Sequence, residues 1–310
     1  MPEHLIHIGY PKTGSTFLQA WFERHPDFRY APGGLGGFNN VYEVARPSER
    51  AYAYHVTSFE GLSMPHADAG RVWLDQGDEA PAVYEPVKEN QAAVCAVLKG
   101  LYPRSRVLIM TRGFRGMILS AYSQSVRMGA RLHLADMCRE LAERLRDDAR
   151  HYYDYDYLIG LYAEAFGEEN VLVMPYELLR DDQGRFLAVL EERLGVGHAE
   201  VELGRVNPSL SPEELYWYPL ISRAVSAAAS RLGPARFRRI YTWYVGKTLD
   251  NRLGWLVRVL RLLRPGGRIT KADFPEEILR LCEGRAARLK GDPLYAPYAA
   301  EYLWDEPARA

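Results

Sequence analysis

The stretch Leu5-Ile6-His7-Ile8-Gly9-Tyr10-Pro11-Lys12-Thr13-Gly14-Ser15-Thr16-Phe17-Leu18 decides the fold. Its first four residues, closed by Gly9, have the length and apolar character of a buried parallel strand. Phe17, Leu18, Trp21 and Phe22 then recur at helical spacing, and the helix should stop before Pro26. Strand, glycine-bearing loop and helix thus follow one another at the start of the chain. A loop in that position aims several backbone N–H groups at one point, where the helix dipole adds positive potential. Lys12 adds a full charge, and Ser15 and Thr16 add hydroxyls. Such a loop suits a phosphate or a sulfate. Its spacing from Gly9 to Gly14 is that of the nucleotide-binding Walker loop, but Ser15 stands where that loop has its lysine, and the lysine lies inside the loop.

The alternation continues along the chain. Ala53 to Thr57 and Val83-Tyr84 read as strands, and Gln91 to Leu101 as a helix ended by Pro103. Arg106 to Thr111 is the clearest strand, followed by a helix over Gly116 to Met128. Val171 to Met174 is a further strand, with a helix from Gly184 to Leu194. This order predicts an α/β fold of three layers, a mostly parallel sheet flanked by helices on both faces. Asp27 to Arg50, with Gly33-Gly34-Leu35-Gly36-Gly37 at its centre, reads as a mobile loop. After about Asn207 strand signals stop. Ser211-Pro212-Glu213-Glu214 opens a helix, with a capping serine, proline at the first position and acids in the first turn. The remainder is helical, broken at Gly233-Pro234, Pro265-Gly266-Gly267 and Pro275. The expected organisation is an α/β core over 1–205 and a helical region over 206–310 packed on it.

The 310 residues allow one large domain or two small ones, at about 150 residues per domain. Hydrophobic residues at 47% and charged residues at 25% exclude disordered, collagen-like and coiled-coil chains. No uncharged apolar run approaches the ~20 residues that span a bilayer. Met1-Pro2-Glu3-His4 has no basic segment of the kind that opens a signal peptide. Cys95, Cys138 and Cys282 are scattered and form no metal or disulfide pattern, so a reduced cytoplasmic setting is expected. The net charge of −1 hides a segregation. Between Ile221 and Lys271 stand twelve Lys/Arg and one acid, Asp250, giving +11 and leaving −12 on the rest. Within it, Leu253, Leu256, Leu260 and Leu263 share a helical spacing, Arg258, Arg261 and Arg264 share another arc, and Trp243 and Trp255 lie nearby. The pattern fits an anionic membrane surface, with the protein peripheral at the inner face, or an anionic acceptor, or a helix docked on its own acidic core. Nucleic acid is not expected, because a recognition motif and an overall positive charge are both missing.

Tyr10-Pro11-Lys12-Thr13-Gly14-Ser15-Thr16 resembles the 5′-phosphosulfate loop of the sulfotransferases that use 3′-phosphoadenosine 5′-phosphosulfate (PAPS). Arg106-Val107-Leu108-Ile109-Met110-Thr111-Arg112, with Ser120 eight residues on, is similar to that family's 3′-phosphate signature, and Ala121-Tyr122 and Gln124 continue the likeness. The chemistry agrees, since an arginine at a strand's end offers bidentate donors to a phosphate. Val171 to Leu179 resembles the family's strand and following Tyr-Glu turn, which implies an adenine contact for Tyr176, a residue that equally suits a core aromatic. The resemblance covers 4–195 and is to the bacterial branch; the C-terminal glycine-rich loop of the animal members is not recognisable.

This resemblance implies a P-loop-like sulfotransferase fold. It implies PAPS as cofactor, with product adenosine 3′,5′-bisphosphate (PAP) and no metal, held by Pro11, Lys12, Thr13, Gly14, Ser15, Thr16, Arg112, Ser120 and Tyr176. The sulfuryl group would pass to a hydroxyl or amine of a glycan, lipid or small molecule. Lys12 would stabilise charge on the departing phosphate, and a base is expected on or just after the second strand. His55, Glu60 and Glu85 are the candidates, and the Ser58-Phe59-Glu60 pattern favours Glu60, with Phe59 and Leu62 as apolar cover. A nucleotide-dependent kinase and a non-catalytic nucleotide-binding protein are the alternatives. Against the kinase, Ser15 and Arg112 occupy the places of the Walker lysine and a magnesium-binding aspartate.

Overall fold

The structure, a computed structural model, describes residues 3–30, 50–63, 86–201 and 210–304. Five strands form one sheet: β1 (Glu3–Gly9), β2 (Phe28–Arg29), β3 (Tyr54–Ser58), β4 (Ser105–Thr111) and β5 (Val171–Pro175). Their order is β2-β3-β1-β4-β5, and every pairing is parallel. The helices are α1 (Ser15–Arg24), α2 (Val87–Leu101), α3 (Phe114–Arg127), α4 (Leu134–Leu145), α5 (Tyr155–Phe166), α6 (Tyr176–Asp181) and α7 (Gln183–Leu194), then α8 (Pro212–Ser230), α9 (Pro234–Leu249), α10 (Gly254–Leu263) and α11 (Glu276–Cys282).

Alternation along the strands builds the three layers. Leu5, Leu108, Met110 and Met174 face one way, onto Leu18, Trp21 and Phe22 of α1 and Phe186 and Leu190 of α7. Ile6, Ile8, Val107 and Ile109 face the other way, onto α2, α3, α4 and α5. A sheet covered on both faces must be apolar on both, which is why β1 and β4 read as nearly continuous hydrophobic runs. Leu215 and Tyr218 of α8, Val257 of α10 and Ile278 and Cys282 of α11 join that second cluster. The C-terminal helices therefore share a core with the sheet, while α9 closes a smaller cluster through Tyr241, Tyr244 and Val245. Among the described residues no helix is long and apolar enough to cross a membrane.

The predicted α/β architecture is the one observed, with differences in its elements. The two-residue edge strand β2 falls inside the segment read as a loop. Helices α4 and α5 occupy a stretch in which no element was read, although Leu134, Cys138, Leu141 and Leu145 are buried at helical spacing. The strand read at Val83-Tyr84, the Gly33–Gly37 segment and Glu85 lie outside the described residues.

Helix α8 begins as its sequence requires. The Glu214 N–H donates to Ser211 Oγ (3.2 Å), and the Ser211 N–H donates to Glu214 Oε2 (2.8 Å), a reciprocal capping box. Ser211→Ala should lower unfolding stability by about 1 kcal/mol, read by urea denaturation; an unchanged midpoint would show that the cap contributes nothing.

Candidate functional site

Parallel strands bring their C-terminal ends to one edge, and ligands of open α/β sheets bind there. At that edge Gly9, Ser58, Thr111 and Pro175 end their strands, and the loop Tyr10–Gly14 turns into α1. The Thr13 N–H and hydroxyl both donate to the Tyr10 carbonyl, at 3.2 and 2.6 Å, so Thr13 closes the loop from inside. Lys12 and Gly14 both adopt positive φ, 71° and 92°. At Gly14 a Cβ would also lie 2.6 Å from Leu179 Cδ2, so conformation and space both demand glycine. Gly14 is the N-cap and supplies no side-chain acceptor. The first-turn N–H groups of Ser15, Thr16 and Phe17 consequently have no partner within the helix and face out of its positive end. Ser15 Oγ is buried with no hydrogen-bond partner. An unpartnered buried hydroxyl beside free N–H groups fits an anion seated in the loop.

One face of α3 forms the floor. Gly116, Ser120, Gln124 and Arg127 follow at spacings of four, four and three residues, so they share one helical face about 16 Å long at 1.5 Å per residue. At one end Lys12 Nζ donates to Gln124 Oε1 (3.2 Å). At the other, a Cβ on Gly116 would lie 3.2 Å from Arg112 Nε and 3.8 Å from Lys271 Nζ, so two cations converge over it. Ser120, 8% exposed, sits between the two ends.

Arg112 is tied to the loop directly, its Nη1 donating to the Lys12 carbonyl at 2.8 Å. Its guanidinium carbon lies 4.4 Å from the centre of the Tyr176 ring, and that ring also flanks Gly14. Burial pulls the Arg112 guanidinium below its ordinary pKa, yet an arginine remains charged. The backbone around it is clamped. Tyr155 Oη donates to the Arg112 carbonyl (2.6 Å), and the Gly113 N–H donates to Glu177 Oε1 (3.0 Å). Tyr302 Oη donates to the other Glu177 oxygen (3.2 Å). Burial holds the Glu177 carboxyl above its usual range, with the Gly113 N–H opposing that shift.

Glu60 reaches the same site. It opens a short 3₁₀ turn, Glu60–Leu62, and Ser63 Oγ fastens this turn to the base of the loop by donating to the Gly9 carbonyl (2.8 Å). Burial lowers the Lys12 ammonium pKa; the Glu60 carboxylate opposes this, and Arg127 and Arg112 add to it. Leu62 is buried, but Phe59 is 41% exposed with its ring turned onto Gly61, leaving Glu60 partly open to solvent.

His55 is placed elsewhere. It pairs with His4 near the start of β3, at the opposite end of the strand from the loop. Burial and then Arg29 lower its pKa. A histidine closer to the loop is His7, whose Nδ1 meets Ser58 Oγ at 2.7 Å, but it is fully buried and burial lowers it to about 3. The structure thus gathers Lys12, Ser15, Arg112, Ser120, Tyr176 and Glu60 at one edge. Pro11 is partly exposed beside them and Thr16 is exposed on α1. Sequence reasoning passed over Lys271, Glu177 and Arg127. Arg127 was legible as the next residue on the Gly116–Ser120–Gln124 face. No spacing connects Lys271 to Arg112.

No protein-family model matches this chain, and no curated protein matches it. Among solved structures it is similar to a sulfotransferase from Alicyclobacillus acidocaldarius, at 19% identity over 78% of this chain and 96% of the other, with a TM-score of 0.42. It is similar to mouse sulfotransferase SULT7A1 complexed with PAP, at 16% identity over 74% and 68%, TM-score 0.37. It is also similar to the sulfotransferase domain from the curacin biosynthetic pathway, at 12% identity over 70% and 78%, TM-score 0.34.

Proposed function

We propose that this chain is a sulfotransferase that uses PAPS as donor and a hydroxyl or amine as acceptor. One observation carries the reading: two cationic, donor-rich ends, the Lys12 loop and Arg112, are joined by a single helix face through Ser120. That arrangement suits one nucleotide with phosphates at both ends. The buried, unpartnered Ser15 hydroxyl and the uncapped N-terminus of α1 support the 5′ side. Arg112, with Ser120 below it and Lys271 near it, supports the 3′-phosphate side.

The donor would supply a sulfuryl group on a phosphate leaving group. The protein's part is positioning and charge stabilisation. The N–H groups of Lys12 and Gly14 to Thr16 hold anionic oxygens, and Lys12 Nζ offsets charge developing on the leaving side. Tyr176 offers a ring face that Arg112 already covers on one side. Glu60 takes the acceptor's proton. Its carboxylate faces Lys12 without being sealed from solvent, so an acceptor can approach it.

Thermal-shift titration with PAP and with ATP plus magnesium tests the nucleotide. Stabilisation by PAP alone is expected; protection by ATP and none by PAP would overturn the reading in favour of a kinase. For the base, Glu60→Gln should reduce PAPS turnover about 100-fold or more on an active acceptor, while PAP affinity changes little and His55→Gln retains activity. Full turnover in Glu60→Gln would remove it from the role.

A further inference from the structure

The basic C-terminal region carries an outward face that the nucleotide site does not use. Helix α10 has apolar residues on two sides. Val257 turns inward to the core cluster. Trp255, Val259 and Leu262, spaced by four and three residues, form a stripe on the opposite side and are 62%, 51% and 79% exposed. Arg258 and Arg261 stand beside that stripe, both exposed. The preceding helix repeats the pattern: Arg236, Arg239, Trp243 and Lys247 share one arc of α9, with Lys247 Nζ 5.7 Å from the centre of the 62%-exposed Trp243 ring.

The fold answers few of these charges. Ion pairs within it take up Arg223 with Asp136, Arg252 with Asp250 and Lys271 with Glu301. Among the described residues no ion pair reaches Arg236, Arg239, Arg258 or Arg261. A cleft of about 430 Å³ beside α10 is lined by Arg258 and Arg261 but also by Glu213 and Glu214, so it is not an anion pocket. The unanswered charge belongs to the open surface.

We propose that the outer face of α10, with the basic arc of α9, docks on an anionic lipid bilayer. The stripe would enter the headgroup boundary and the arginines would meet lipid phosphates. A second copy fits poorly, because an isologous contact would set this positive face against itself. Nucleic acid fits poorly too, since Leu262, the most exposed residue of the stripe, offers it nothing to hydrogen-bond. A chain with +11 on this segment and −12 elsewhere would also orient itself, presenting this end to a negative surface. None of this depends on the nucleotide chemistry.

Vesicle flotation of the full chain tests it, with phosphatidylcholine vesicles and with vesicles that also contain phosphatidylglycerol. Binding is expected to the anionic vesicles alone, and should be lost between about 0.1 and 1 M salt as the Debye length falls from about 10 to 3 Å. Leu262→Glu should weaken it about tenfold or more, and Arg258→Gln and Arg261→Gln about fivefold each. Circular dichroism and melting temperature show that the variants fold, and PAP binding by the same variants should be unchanged. The proposal is overturned by any of three results: no flotation with anionic vesicles, equal flotation of wild type and folded Leu262→Glu, or retention of an oligonucleotide with no vesicle binding. Self-association in sedimentation velocity that Leu262→Glu abolishes would overturn it in favour of a second copy.

Discussion

Arg112→Ala should abolish stabilisation by PAP at concentrations that saturate the wild type. Arg112 brings two or more donors to one end of the site from a buried position, and its guanidinium is held by the Lys12 carbonyl and the Tyr176 ring. Truncating one member of a desolvated, hydrogen-bonded charge pair costs about 2–5 kcal/mol, roughly 30-fold to several-thousand-fold in affinity. Arg112→Lys should rescue little, because a lysine lacks both the planar fork and the stacking surface. The apo protein should behave in the opposite sense. Lys12 and Arg180 both crowd Arg112 electrostatically, so removing one cation relieves repulsion that only a bound anion offsets. The apo melting temperature should therefore hold or rise while the PAP-induced shift vanishes, a separation expected of a binding residue and not of a structural one. A wild-type shift in Arg112→Ala would detach this residue from the nucleotide.

The elements that were legible in the sequence are those whose local chemistry is extreme. Strands β1 and β4 are apolar on both faces because both faces are covered, so neither could be mistaken for a solvent-facing alternation. The loop was legible for the same local reason: glycine, lysine and hydroxyls between a strand and a helix have few other uses. Strand β2 has only two residues, too short for any periodicity, and it exists because Phe28 and Arg29 pair with Tyr54 and His55. At the site, the parts within one segment could be read, since Gly116, Ser120 and Gln124 are related by helical spacing alone. What could not be read is what the fold assembles across distance. Lys271 arrives over Gly116 from a 3₁₀ turn braced by Glu301. Glu177 locks the Arg112–Gly113 turn to Tyr302, near the end of the chain. His55 shows the converse limit. Proximity to Glu60 in sequence does not survive a strand, because five residues of extended chain span about 17 Å.

Lys12→Ala should lower turnover by about 100- to 1000-fold, the usual effect of removing one preorganised group from developing charge, with a smaller loss in PAP affinity because the backbone N–H groups remain. The backbone at Lys12 makes this residue separable from the fold. Its φ of 71° lies in the left-handed region, where a side chain costs about 1–2 kcal/mol. Strain retained at a ligand loop is explained by what the residue does there. Lys12→Gly should accordingly be more stable than Lys12→Ala by about 1 kcal/mol while being equally inactive; equal stabilities would mean that the loop relaxes. The pH dependence follows from the same surroundings. Burial lowers the Lys12 pKa, so the ammonium is lost, and PAP binding weakens, at a lower pH than an ordinary lysine would require. The Glu60 carboxylate opposes that shift. Glu60→Gln removes the opposition, so the alkaline limb of PAP binding should move further down in pH, even where the variant no longer turns over. An alkaline limb that stays in place in Glu60→Gln would show that the two side chains are not coupled, and would separate Glu60 from the site.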